Sequence, residues 1–151
     1  MVNYTPNIFK DAKKSKAQEI LVKDIMLKVF PSFTEDMDID EASRTLIKKK
    51  ISGAPVINEK NEAVGFLSEK DCLKLEMDMK YHNDQPRKVR DYMSKKIIPV
   101  QSNSDIHEAI ELFTKYNFYC YPVVDDNKVV GLIYRRSVLK AVCKMVQSNW
   151  K

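Results

Sequence analysis

The 151-residue chain has room for one compact domain or for two half-size units that share a core. It is 44% hydrophobic and 31% charged, with only three glycines and six prolines, a composition that excludes a disordered or fibrous protein. Its 26 basic and 21 acidic residues give a net charge of +5, a mild excess without the dense basic stripe or reading motif typical of a nucleic-acid binder.

The start of the chain predicts a cytoplasmic location and no membrane contact. Residues 1–20 contain no apolar run typical of a secretory signal, and no stretch of the chain approaches the roughly 20 apolar residues of a transmembrane helix. We interpret residues 1–20 as a basic helical extension that lies outside the domain.

The cysteines predict neither a metal site nor a redox pair. Cys72, Cys120 and Cys143 are widely spaced, and none belongs to a C-x-x-C motif. Each has apolar neighbours in the sequence, so we predict three core thiols.

An internal repeat organises the rest of the chain. Four short segments recur in the same order, the first three at one constant spacing (that of Asp24 and Asp91) and the fourth at a spacing shorter by a single position (Gly65 and Gly131). The pairs are VKDIM (22–26) with VRDYM (89–93), DIDEA (38–42) with DIHEA (105–109), APVI (54–57) with YPVV (121–124), and VGFL (64–67) with VGLI (130–133). Such regular self-similarity indicates a duplicated unit.

Both copies predict the same order of elements. Asp38 and Asp105 each precede a glutamate by three positions, a pattern typical of a helix start, and apolar residues then follow at helical spacing. Two β-rich runs come next, separated by polar turns at 58–61 and 125–128. A second helix follows, which in the first copy begins at Ser68. The predicted apolar positions of this helix and of its counterpart are Cys72, Leu73 and Leu75, and Val138, Leu139 and Val142.

We therefore predict an α+β fold made of two β-α-β-β-α units, at 21–80 and 88–148, joined by a connector at 81–87. A unit of about 60 residues is marginal alone. The two units should consequently pack sheet to sheet about a pseudo-twofold axis.

These motifs resemble the tandem CBS-domain pair, a module named after cystathionine beta-synthase and often called a Bateman module. The resemblance covers roughly residues 20–145 and depends on the V-x-D-h-M and D-h-x-E-A starts, on SGAPVI at 52–57 and on GFLSEKD at 65–71. It implies a regulatory module that binds an adenosine-type nucleotide in a cleft between the repeats. AMP, ADP and ATP are the expected ligands, and S-adenosylmethionine and NAD are the alternatives.

The family's ribose motif, G-h-x-[S/T]-x-x-D, is matched in the first copy from Gly65 to Asp71. The resemblance implies that Asp71 accepts hydrogen bonds from the two ribose hydroxyls and that Ser68 touches the ribose or phosphate, at a helix start suited to anions. A carboxylate suits two hydroxyl donors because it offers two charged oxygens. The same S-x-x-D spacing is also an ordinary capping box, which needs no ligand.

The second copy departs from this motif. It has Tyr134 in place of the hydroxyl residue and Ser137 in place of the acid. We therefore expect one nucleotide per chain, with the second cleft filled by side chains, among them Tyr119 and Tyr121.

Two further groups complete the predicted site. In the family, the position before the second acid reaches across the pseudo-twofold axis to the phosphates bound by the first copy; here it is Arg136, with Arg135 beside it. Surface solvation is the alternative role for these arginines. The resemblance also predicts that a short segment borders the adenine: Ser52, Gly53, Ala54 and Pro55. Gly53 would allow close approach, or would serve only the turn into the strand.

Catalysis is not predicted. The two histidines, His82 and His107, are not placed by the repeat beside a nucleophile or a carboxylate cluster. We expect a protein that requires no cofactor and no metal and acts on a separate, unidentified partner protein. It should also form a disc-like homodimer whose covering residues include Tyr81, Leu112, Tyr116 and Trp150. A ligand-free structural or dimerisation module is the alternative function.

Overall fold

The structure, a computed structural model, describes residues 19–81 and 87–149, and the side chains of residues 80 and 81 are not part of it. Most of the predicted N-terminal extension (1–20) and of the predicted connector (81–87), with His82, therefore lies outside the described residues, as does Trp150.

The predicted α+β fold is confirmed by two small sheets with helices packed against them. The first repeat contains α1 (Val22–Ile25), α2 (Ile39–Lys49), β1 (Gly53–Ile57), β2 (Ala63–Ser68), α3 (Glu69–Cys72) and α4 (Lys74–Tyr81). The second contains a 3-10 turn (Val89–Asp91), β3 (Val100–Gln101), α5 (Ile106–Lys115), β4 (Cys120–Asp125), β5 (Lys128–Tyr134) and α6 (Arg135–Asn149).

The two long helices that follow the D-x-x-E motifs start as predicted. The Asp38 carboxylate accepts the backbone N–H of Asp40 at 2.7 Å, and the Asp105 carboxylate accepts that of His107 at 2.8 Å. Each bond satisfies a donor that the first turn of a helix leaves without an intrahelical partner. Helix α2 is capped at its C-terminus by Lys50, which adopts the left-handed conformation with φ 55°.

The strand that opens each unit differs between the repeats. In the second repeat β3 pairs in parallel with β4 over two residues, and β4 pairs antiparallel with β5. In the first repeat β1 and β2 are antiparallel, but the counterpart of β3 is a single bridge between Phe33 and Val56. The predicted first strand of the first copy is therefore reduced to one residue. A further bond, from Ser102 N–H to Val124 O at 3.2 Å, extends the pairing of the second repeat.

Each repeat is completed by the segment that opens the other. Leu27 and Leu132 exchange two backbone hydrogen bonds, at 2.7 and 3.0 Å, and Phe66 and Ser94 exchange two at 2.9 Å. Leu27 and Ser94 occupy the same position in the two copies, as do Phe66 and Leu132, so the two bridges are related by the pseudo-twofold axis.

The recurring glycine and methionine of the motifs meet across this exchange. A Cβ on Gly131 would lie 2.7 Å from Met26 Sδ, and one on Gly65 would overlap Met93 Sδ in the same way. Only glycine lets the methionine of the exchanged segment pack at this distance.

The cysteine prediction is wrong at one position. Cys120 is buried and Cys72 is half-buried, but Cys143 is exposed on α6. Its apolar neighbours in the sequence do not bury it, because residues adjacent in a helix point about 100° apart. The buried positions of α6 are Val138 and Ala141.

Candidate functional site

The predicted site lies where the two repeats touch. Cys120 Sγ is 4.0 Å from the carbonyl oxygen of Gly53, and these residues occupy equivalent positions at the starts of β4 and β1. The pseudo-twofold axis therefore passes beside this contact. Burial raises the pKa of the Cys120 thiol to about 12, and a hydrogen bond with the Ser52 side chain partly offsets the shift.

The residue before β1 and the residue before β4 each accept a hydrogen bond from the first residue of a helix. The carbonyl of Ser52 accepts the N–H of Glu69 at 2.9 Å, and the carbonyl of Tyr119 accepts the N–H of Arg135 at 2.9 Å. The second helix of each repeat thus begins beside the axis. Sequence reasoning did not identify Cys120 as the residue that links the two halves, and its apolar neighbours in the sequence offered no signal for this role.

The predicted adenine border is mostly closed. Gly53, Ala54 and Pro55 are buried within β1, and Ser52 is half-buried. The Ala54 side chain belongs to the core of the first repeat, so only its backbone is suited to a ligand.

Gly53 has a packing role of its own. It has no positive φ, so the left-handed conformation that glycine can supply to a turn is not used here. A Cβ there would lie 2.6 Å from the Phe66 ring and 2.9 Å from the carbonyl oxygen of Leu67. Its small size is explained by close packing against β2.

Ser68 and Asp71 form a complete capping box. Asp71 Oδ2 accepts the backbone N–H and the hydroxyl of Ser68, both at 2.9 Å, while Ser68 Oγ accepts the N–H of Asp71 at 3.1 Å. Asp71 Oδ1 lies 3.9 Å from Lys74 Nζ, and the Asp71 side chain is 18% exposed. The capping role is therefore present, and Oδ1 is the oxygen that a ribose hydroxyl could approach.

The helix that begins at this capping box is poorly suited to bind an anion. Helix α3 has only four residues, and its first turn carries Glu69 and Asp71. A short helix with two acids at its start does not attract phosphate, which the sequence had suggested for this position.

The two tyrosines predicted to fill the second cleft have different surroundings. Tyr121 lies in the core of the second repeat, where its hydroxyl donates to the carbonyl of Leu112 at 2.9 Å, so the expectation that it fills the cleft is wrong. It packs against α5, where the centre of its ring also lies 4.7 Å from the centre of the Phe113 ring. Tyr119, the other tyrosine that was predicted to fill this cleft, is 57% exposed.

Tyr134 takes the position that Ser68 has in the first repeat. Its hydroxyl oxygen is buried and finds no hydrogen-bond partner within residues 19–81 and 87–149. Burial, with a smaller contribution from Cys120, raises the pKa of Tyr134 to about 12. This side chain, rather than Tyr121, places an aromatic ring where the first repeat has its hydroxyl residue.

The two arginines at the start of α6 differ in their surroundings. Both are exposed. The guanidinium of Arg135 lies 4.4 Å from the centre of the Tyr119 ring. Arg136 makes no ion pair within the described part of the chain.

Equivalent leucines are exposed in the two repeats, one between α3 and α4 and the other in α6. Leu73 is 74% exposed and its counterpart Leu139 is 60% exposed. Met77 and Val146 continue this apolar face along α4 and α6. Sequence reasoning had counted both leucines among the apolar positions of their helices, but neither faces the core.

The described residues that were predicted to cover a dimer interface are less exposed than Leu73 and Leu139. Leu112 is partly buried against the second core, and Tyr116 is 37% exposed. The Tyr81 side chain and Trp150 lie outside the described residues.

Comparison with known proteins identifies the family. The CBS domain model matches residues 22–78 and again residues 89–144. The chain belongs to the CBS-domain family. Its two matches coincide with the two copies found in the sequence, so it is a tandem CBS pair, as the resemblance indicated.

Relatives of this pair are found among curated proteins and solved structures. The uncharacterized protein MJ1426 of Methanocaldococcus jannaschii is 31% identical over 82% of this chain and 91% of its own length. CBSX2, solved in complex with AMP, is 27% identical with a TM-score of 0.74, over 83% of this chain and 97% of that one. The CBS pair of protein MJ0100, in complex with 5′-methylthioadenosine and S-adenosylmethionine, is 28% identical with a TM-score of 0.68, over 83% and 98%.

Other relatives are longer proteins. The chain spans between 15% and 46% of their lengths, and an inosine-5′-monophosphate dehydrogenase of Methanocaldococcus jannaschii is among them. Within residues 19–81 and 87–149, no helix has the length and hydropathy to cross a bilayer. The same residues contain no group of three histidines, cysteines or acids arranged to hold a metal ion.

Proposed function

We propose that this protein is a regulatory module that binds an adenosine nucleotide at its first repeat and acts on a separate partner protein. The observation that carries the proposal is the ligand content of two CBS pairs of the same fold. CBSX2 holds AMP, and the pair of MJ0100 holds 5′-methylthioadenosine and S-adenosylmethionine. All three ligands contain adenine attached to a ribose ring, so this adenosyl group is the shared chemistry that the site has to recognise.

The proposed contacts use the residues beside the axis. Asp71 Oδ1, which accepts no hydrogen bond in the capping box, receives a ribose hydroxyl. The backbone of 52–55 borders the adenine, and Arg135 and Arg136 approach the phosphates. AMP, ADP or ATP is the expected ligand, with S-adenosylmethionine and NAD as alternatives. The protein is proposed to be non-catalytic and cytoplasmic.

Thermal unfolding with a panel of ligands tests this proposal. Adenosine, AMP, ADP, ATP, 5′-methylthioadenosine, S-adenosylmethionine and NAD are each added to the full chain, with guanosine as the control nucleoside. A ligand that binds only the folded state at 100 times its Kd adds about 2.7 kcal/mol to the unfolding free energy. A rise in Tm with adenosine-containing ligands and none with guanosine supports the proposal, and no rise with any of them contradicts it.

A ligand-free dimerisation module is the second candidate. Two observations favour it: the Ser68–Asp71 capping box is complete without a ligand, and Leu73 and Leu139 expose equivalent apolar positions. Homodimerisation is part of both proposals, since an exposed apolar face shared by two pseudo-symmetric helices suits a second copy.

A further inference from the structure

Arg135, one of the two arginines predicted to approach the phosphates, is stacked on an aromatic ring. Its guanidinium carbon lies 4.4 Å above the centre of the Tyr119 ring. At this distance a guanidinium is attracted to an aromatic face both electrostatically and by stacking. Tyr119 is 57% exposed, so this contact is made at the surface and not in the core.

Stacking leaves the binding capacity of Arg135 intact. A guanidinium stacks through its face, while its five N–H donors lie in its plane and point outwards. A ring that holds the plane in place also lowers the side-chain entropy that is lost when an anion binds. The pair is therefore a pre-oriented set of donors for a planar or tetrahedral anion such as phosphate.

The pair is attached to the predicted ligand site through consecutive contacts. Arg135 is the first residue of the 15-residue helix α6, and its N–H donates to the carbonyl of Tyr119. The residue after Tyr119, Cys120, contacts the carbonyl of Gly53 and the side chain of Ser52. Arg135 thus belongs to the second repeat but lies beside the adenine border of the first.

The pseudo-symmetric positions lack this arrangement. Ser52 stands at the position of Tyr119, and Glu69 stands at the position of Arg135. The first repeat therefore has neither the ring nor the positive charge. The first turn of α6 also contains no acid, whereas that of α3 contains two. The combination of an aromatic ring with an arginine is consequently found at the start of α6 and not at the start of α3, where Ser68 and Asp71 lie.

Arg136 is not equivalent to its neighbour. Consecutive helical residues project about 100° apart, so the two guanidinium groups leave α6 in different directions. Among the described residues, Arg136 lies over no aromatic ring, so it lacks the contact that orients Arg135.

We propose that Tyr119 is a positioning residue that orients Arg135 as the main phosphate donor, and that the pair makes the site prefer phosphorylated adenosine to adenosine. This inference rests on the proposed function, because it names the phosphate specificity of the same nucleotide site.

The test measures adenosine and ATP affinities by titration calorimetry on the full chain. Tyr119→Ala removes the ring, Tyr119→Phe keeps it, and Arg135→Lys keeps the charge without the planar fork. Tyr116→Ala is the matched control, because it removes a second cation–aromatic contact, in which Lys115 Nζ lies 5.3 Å from the centre of the Tyr116 ring at the end of α5.

The expected result is a change in the ratio of the two affinities. Tyr119→Ala should weaken ATP about two- to fivefold, the usual effect of an exposed cation–π contact, and leave adenosine unchanged. Tyr119→Phe and Tyr116→Ala should bind both ligands as the wild type does. Arg135→Lys should weaken ATP at least as much as Tyr119→Ala and leave adenosine unchanged, because it removes the planar set of donors while the charge stays.

Two other outcomes distinguish a failure of this inference from a failure of the proposed nucleotide-binding function. If the wild type binds ATP but Tyr119→Ala keeps the same ratio of ATP to adenosine affinity, the positioning role is wrong and the nucleotide function stands. If the wild type binds no adenosine ligand at all, the proposed function fails and this inference fails with it.

Discussion

Asp71 Oδ2 accepts two hydrogen bonds from Ser68 at 2.9 Å, one from its backbone N–H and one from its hydroxyl. This single oxygen completes the capping box, so the carboxylate has a structural role before any ligand arrives. The other oxygen, Oδ1, has the ammonium of Lys74 nearby, at 3.9 Å. Oδ2 therefore serves the helix cap, and Oδ1 is the oxygen that remains for the ribose contact that the sequence predicted.

Asp71→Asn distinguishes these roles. Hydrogen bonds to a charged group contribute roughly 1.5–3 kcal/mol, so loss of a ribose acceptor should weaken nucleotide binding about 10- to 100-fold in calorimetry. As a cap alone, the change should cost on the order of 1 kcal/mol of unfolding free energy and leave affinity intact.

Asp24→Asn is the control for that experiment. Asp24 Oδ2 accepts the backbone N–H of Leu21 at 2.9 Å, the same bond as in the Ser68–Asp71 box, but at the start of α1. It should lower stability by a similar amount and leave nucleotide affinity unchanged. Equal affinities for the Asp71 and Asp24 variants would make Asp71 a cap and nothing more.

Ligand stoichiometry follows from the difference between the repeats. Because only the first repeat has the hydroxyl–acid pair, titration with AMP, ADP or ATP should give about one nucleotide per chain. Replacing Tyr134→Ser and Ser137→Asp together should restore the motif in the second repeat and raise the value toward two. Ser137→Asp alone, with the Tyr134 ring still in place, should leave it at one. Two equivalent sites in the wild type would contradict this assignment.

The buried hydroxyl of Tyr134 predicts a stabilising substitution. A buried polar group without a partner costs about 1–3 kcal/mol, so Tyr134→Phe should raise the unfolding free energy by about 1 kcal/mol at pH 7 in urea titrations. Tyr92→Phe is the matched control, since the Tyr92 hydroxyl donates to Asp78 at 2.7 Å and its loss should be destabilising by about the same amount. A destabilised Tyr134→Phe protein would show that the hydroxyl does have a partner.

The pKa values of Tyr92 and Tyr134 also predict how the unfolding free energy changes at alkaline pH. Burial raises the pKa of Tyr92 and of Tyr134 to about 12, from an ordinary value of 10. The folded state then holds these protons more tightly than the unfolded state. Their contribution to stability is complete below pH 10 and is lost as pH rises from 10 to 12. Unfolding free energy measured across this window should fall less steeply in Tyr134→Phe than in the wild type.

The exposed leucines Leu73 and Leu139 predict that the protein forms a homodimer. Leu139→Glu, on the face that continues through Val146, should convert a homodimer into a monomer of 17.6 kDa in light scattering at micromolar concentration. A buried glutamate at an apolar interface carries the cost of an unpaired charge. Lys140→Glu, at the next exposed position of the same helix, is the control and should remain a dimer. A wild-type protein that is already monomeric would refute the proposed interface.

Local patterns in the sequence determined the elements and their duplication. The constant spacing of the repeated motifs and the caps at Asp38 and Asp105 predicted the two units and their principal helices. The caps and helical faces depend on residues only a few positions apart, because each is complete within one or two turns. The S-x-x-D spacing likewise predicted the Ser68–Asp71 capping box.

Tertiary packing alone decided which residues meet across the axis. The bridge between Leu27 and Leu132, the burial of Tyr121 and the exposure of Cys143 each depend on which elements come to cover a given face. The same holds for the unpaired hydroxyl of Tyr134 and for the stacking of Arg135 on Tyr119. Short-range periodicity indicates that a face is apolar but not what covers it, because the covering segment here comes from the other repeat, far away along the chain.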